Sequence, residues 1–158
     1  MAELTDGPWQ QAFWVTVADA VSKSNFRRGD PGWARYRDFE FDLHAQLRRG
    51  LPAGWPAADD APARVADRPR FVGAFAAIGN LDAANLPKSV ADAAEGVVYR
   101  TDAQLWACLP VLLRRSPRRP QSWVAFAHVA GGAAEQIAAA AELARQLVAV
   151  ADDDRPPS

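Results

Sequence analysis

Leu105-Trp106-Ala107-Cys108-Leu109-Pro110-Val111-Leu112-Leu113-Arg114, followed by Trp123-Val124-Ala125-Phe126-Ala127-His128-Val129, is the part of the chain on which the fold turns. Both stretches are apolar, and a short apolar run fits a buried helix and a buried strand alike. Immediately before the first stands Thr101-Asp102-Ala103-Gln104, a hydroxyl followed three residues later by an amide, which is the signature of a capping box. It favours a helix starting at 101 and broken or kinked at Pro110, which removes a donor and clashes with the preceding turn. On the competing reading, 97–100, 105–113 and 123–129 are strands of a small sheet.

The segments around this stretch read as helices. Upstream, Thr5-Asp6-Gly7-Pro8 resembles a helix start. Trp9, Phe13, Trp14, Val17, Ala20 and Val21 then share one side at 100° per residue, so an amphipathic helix is expected over 8–24. Pro31 opens a second helix over 32–49, with Trp33, Tyr36, Phe39, Leu43 and Leu47 as its stripe and Gly50 and Pro52 as its stop. Residues 51–70 hold a Pro-rich loop that is either functional or packed down by Trp55. A short helix starts at Leu86-Pro87 and ends before Gly96. Downstream, Gly131-Gly132 introduces a helix over 133–151, with Ile137, Ala140, Leu143, Ala144, Leu147 and Val148 on one face. The sum is a mainly α, compact domain of about five to six helices, with the α+β arrangement as its alternative. Residues 1–151 read as one globular domain and 152–158 as a disordered tail.

Composition bounds the function. The chain has 158 residues and a net charge of −1, is 49% hydrophobic and 23% charged, and is long enough to bury a core. A nearly neutral chain does not bind nucleic acid with its whole surface. No apolar run reaches the length of a membrane span. One cysteine excludes an internal disulfide and suits the reducing cytoplasm, and the first residues do not read as a secretory leader. Sixteen Arg against two Lys, with 34 Ala, is what GC-rich coding produces and suggests a bacterial source. No metal or other cofactor is expected.

Three constellations carry possible chemistry. Arg37, Glu40 and His44 lie three and four apart on one helix, so they are neighbours on its face. A carboxylate beside an imidazole raises and orients it as a general base, and Arg37 is placed for an anionic substrate. The bland reading is a polar helix edge. Second, five Arg stand against one Asp over 97–130. Of these, Arg114, Arg115, Arg118 and Arg119, with Trp123 nearby, form a candidate patch for an acidic protein surface or a nucleic-acid backbone. Third, Phe41 projects away from the main stripe of its helix, with Ala34 and Ala45, as if towards a partner. Cys108 reads as a buried small hydrophobe and His128 as a core histidine. Gly131-Gly132 before a helix is a weak candidate anion site. The expectation is therefore an interaction protein, an adaptor or a subunit of a larger assembly, that docks a protein partner through Phe41, Trp123 and the Arg cluster. A small enzyme using Glu40 and His44, and a nucleic-acid binder, are the alternatives.

Overall fold

The computed structural model of the protein describes residues 4–19, 29–56, 68–78, 85–114 and 121–154. Among them the chain runs β1 (Gln11–Val17), α1 (Pro31–Gly50), β2 (Phe71–Ile78), α2 (Leu86–Ala94), β3 (Leu105–Arg114), β4 (Gln121–His128) and α3 (Ala133–Asp154). The four strands form one mixed sheet in the order β1-β4-β2-β3. β4 runs antiparallel to both β1 and β2, while β2 and β3 are parallel. The mainly helical domain of five to six helices is thus replaced by an α+β layered domain: α1 and α2 cover one face of the sheet and α3 covers the other.

Each departure has a physical cause. Phe13 and Val17 are spaced by four, which satisfies a helical stripe and also keeps the same parity along a strand, whereas Trp9 lies ahead of the strand and packs on the α3 side of the sheet. The β-branched run Val15-Thr16-Val17 resolves the ambiguity towards β, and Phe13, Val15 and Val17 pair with Phe126, Val124 and Ser122. Residues 20–24 of the expected first helix lie outside the described residues. β2 shows no alternation because it is covered on both sides. Its Phe71 and Phe75 pack under α1 and α2, and its Val72, Ala74, Ala76 and Ile78 pack under α3.

β3 corrects the helix expected from 101. The capping box forms, with Thr101 and Gln104 bonded reciprocally, but it closes only a single 3-10 turn, Asp102–Gln104. Pro110 would cost an α-helix interior about 3 kcal/mol. On an edge strand a missing outward N–H costs little, and β3 is an edge strand. Residues 97–100, the first strand of the alternative sheet, form a turn with only an isolated bridge from Glu95 to Tyr99.

The helices follow their punctuation. Pro stands in the first turn of α1 and of α2. α3 runs to Asp154, into the stretch expected to be a tail. It lays Ala139, Ala140, Leu143, Ala144, Leu147, Val150 and Ala151 on the sheet, while Ile137 is exposed. Such small side chains let the helix approach closely, and Trp123 of β4 fills the space beneath. On the opposite face Trp55 ties its loop down, donating its indole N–H to the Val98 carbonyl at 3.0 Å and meeting Phe13 edge-on at 4.9 Å. No helix among the described residues is long and apolar enough to cross a membrane.

Candidate functional site

The polar face of α1 meets the end of α2 in an open cleft of about 560 Å³. It is lined by Trp33, Tyr36, Arg37 and Glu40 from α1, and by Asp92, Glu95, Gly96 and Arg100 from α2 and the turn beyond it. Arg37 and Glu40 are in this cleft as neighbours, 3.5 Å apart. The Arg37 guanidinium also sits 6.0 Å from the centre of the Trp33 ring. Burial, and after it the Glu40 carboxylate, push the Tyr36 phenol well above its ordinary range. His44 takes no part. Its Nδ1 lies 3.0 Å from the Ala93 carbonyl, and its Nε2 lies 3.4 Å from an Arg48 nitrogen. A carbonyl only accepts, so Nδ1 carries the proton and Nε2 is the acceptor. Both ring nitrogens are therefore engaged away from Glu40, and the imidazole links α1 to α2.

The other candidates fall in separate places. Trp123 is fully buried beneath α3, and its indole donates to Asp154 Oδ2 at 2.9 Å. It is not part of any surface. Arg115, Arg118 and Arg119 lie outside the described residues, and Arg114 is the last residue of β3. Phe41 is 74% exposed on α1. Burial pushes the Cys108 thiol up to about 12, which removes it as a nucleophile near neutrality. The His128 ring meets that of Phe71 at 5.5 Å, tilted by 35°, and burial lowers its pKa. The start of α3 is occupied by the chain's own acid, since Glu135 Oε2 accepts from the Gly132 N–H at 3.0 Å. That carboxylate satisfies the helix end where an external anion would sit. Among the described residues no group of three or more His, Cys, Asp or Glu side chains is placed to hold a metal ion.

The outer strand carries a surface feature that no local sequence pattern marks. Phe71 pairs with Leu105 and Val72 with Ala107, which leaves Trp106 as the extra residue of a β-bulge. A bulge re-aims its side chain, and Trp106 is 45% exposed on the outer strand of the sheet. The Arg70 guanidinium lies 4.3 Å from the centre of its ring. Arg70 is in turn held by the Gly131 carbonyl, to which its Nη1 donates. The indole is thus braced by a cation that is itself anchored to the loop before α3. Leu109, also exposed, lies on the same strand. Edge placement of 105–114 would have pointed to Trp106. Its partner Arg70 stands far away in sequence and carries no local signal.

No known protein-family model matches the chain, and no curated protein sequence matches it either.

Proposed function

We propose that the protein is an interaction module, an adaptor or assembly subunit, that docks a protein partner on the outer side of β3 around Trp106 and Arg70. The observation that carries this reading is the half-exposed indole, raised on a bulge and braced by a fixed guanidinium. Trp and Arg are the side chains that most often dominate interfaces, because one fills a pocket and the other adds directed hydrogen bonds. Here both are pre-positioned, so little side-chain freedom is lost on docking. The complementary surface is an apolar pocket with carboxylates at its rim. Pro110 and the two bulges of β3, at Trp106 and Leu113, interrupt the outer edge against simple strand addition. Recognition therefore runs through side chains rather than through an added strand. A reducing, cytoplasmic setting suits a chain whose one thiol is half-buried and held protonated near neutrality.

The test is native mass spectrometry on protein isolated gently from the cells that make it, with Trp106→Ala and Phe41→Ala in parallel. A heteromeric mass is expected for the wild type and for Phe41→Ala. Truncating an anchor indole costs about 2 kcal/mol or more, roughly thirty-fold in Kd, so Trp106→Ala should appear largely uncomplexed. A partner kept by Trp106→Ala but lost from Phe41→Ala would place docking on α1 and overturn the reading. A monomer that carries a small-molecule mass would do the same.

A further inference from the structure

The cleft between α1 and α2 lies apart from the Trp106 anchor and has its own chemistry. Among the described residues its charges are only partly matched. Arg37 faces Glu40 at 3.5 Å, and Asp92 faces Lys88 at 3.8 Å. Glu95 and Arg100 also line the cleft, yet neither side chain makes a hydrogen bond or ion pair within the described residues. They stand at the two ends of one turn. The turn is closed by the Gly96 N–H bonding to the Tyr99 carbonyl at 2.8 Å, with Gly96 at φ +81°. Nothing lies within 4 Å of where a Gly96 side chain would begin, so the backbone between the two charges is open to approach. Trp33 offers an aromatic surface beside them.

A purely anionic ligand would meet Glu40, Asp92 and Glu95, and a purely cationic one would meet Arg37 and Arg100. With neither the Glu95 carboxylate nor the Arg100 guanidinium paired among the described residues, a ligand bearing both charges can engage each of them, and a cleft of this volume admits a small molecule. We propose that the cleft binds a small zwitterionic peptide, with its ammonium group at Glu95, its carboxylate at Arg100 and an apolar side chain against Trp33. The charged contacts are exposed and individually weak. Affinity is therefore in the millimolar range, and selectivity comes from matching both ends at once.

The experiment follows the Trp33 indole and Gly96 amide NMR signals of the full chain during titration with L-alanyl-L-phenylalanine. Its N-acetylated and C-amidated forms, which each lack one charge, are titrated alongside. The parent dipeptide should saturate both signals, and each blocked form should bind roughly two- to five-fold more weakly, the range of one exposed ion pair. Glu95→Gln should weaken the parent but leave the N-acetylated form unchanged. Arg100→Gln should weaken the parent but leave the amide unchanged. Both residues are exposed, so neither change threatens the fold. The proposal is overturned by the absence of any shift up to about 10 mM, a generous ceiling for a millimolar site. It is also overturned if all three ligands bind equally, or if each variant weakens all three alike. These signals are read on the isolated protein, so the outcome is separate from that of partner docking.

Discussion

Replacing Trp123 by Ala distinguishes an interior indole from a partner-facing one. Trp123 is fully buried, in a cluster that combines the alanines of β4 and α3 with Val72, Ile78, Leu143, Leu147 and Val150. Removing a buried Trp side chain costs ~3–5 kcal/mol, and the cost rises with the volume that stays empty. The alanines have no reach into the void and the larger Leu143, Leu147 and Ile78 of the same cluster can relax into it only in part, so a mid-range value, ~4 kcal/mol, is expected. The hydrogen bond to Asp154 contributes little of this, because Asp154 is exposed and water can replace it. Asp154→Ala should therefore cost only ~0.5–1 kcal/mol. A domain of this size has ~5–15 kcal/mol of stability in all. Urea unfolding followed by far-UV circular dichroism reads the difference. With a slope of ~2 kcal/mol/M, the Trp123→Ala midpoint should fall by about 2 M, and that of Asp154→Ala by less than about 0.5 M. A loss below ~1 kcal/mol for Trp123→Ala would refute the burial argument and return the indole to the surface.

Other substitutions test the remaining assignments. His44→Ala removes the link from α1 to the Ala93 carbonyl and should lower stability by ~1–2 kcal/mol, measured in the same urea assay. A fold of unchanged stability that has lost an activity would instead make His44 catalytic. Gly131→Ala meets both a positive φ of +104° and the Glu135 side chain, 2.8 Å from the new Cβ. It should cost ~1–3 kcal/mol and lower the melting temperature measurably. His128 titrates below its ordinary value because burial disfavours its charged form. The unfolded chain then binds its proton first as pH falls, so His128 should reduce stability as pH drops below about 6.5, fully once pH is below the folded value. Melting temperatures from pH 7.5 to 5 should show this slope in the wild type and a shallower one in His128→Phe.

What was legible in the chain follows from how local each signal is. Pro31 and Gly50, Pro87 and Gly96, and Gly131-Gly132 bracket the three helices because caps and breakers act within a few residues. β3 and β4 fall within the apolar stretches that the sequence leaves open between helix and strand, while β1 and β2 are hidden for two different reasons. β2 is buried on both faces and offers no polar alternation to read. β1 spaces its large residues so that both periods are satisfied, and its partner lies at the far end of the chain. The site residues divide in the same way. Arg37 and Glu40 are helical neighbours, so their spacing alone brings them together. The engagement of His44 by Ala93, the brace of Trp106 by Arg70, and the placing of Glu95 and Arg100 beside α1 are all long-range. Trp123 has no local signal for its direction, because helix and strand periods are both open for 123–129 and only the cover provided by α3 decides which way the indole faces.

The strand order also constrains how this protein is made. β4 lies between β1 and β2, and among the described residues it is the only strand that pairs with β1, with Gln11 opposite His128. During synthesis Phe13, Val15 and Val17 therefore emerge long before the strand that will shelter them. At ~5–20 residues per second, the wait for residue 128 lasts roughly 6–25 s. Over that interval the nascent chain holds an apolar strand with no sheet to join, while β2 and β3 can already pair with each other. Folding is consequently late and long-range, of the kind that slows as sequence separation grows. A ribosome-bound chain that stops short of β4 leaves β1 open to chaperones or to other unfinished chains.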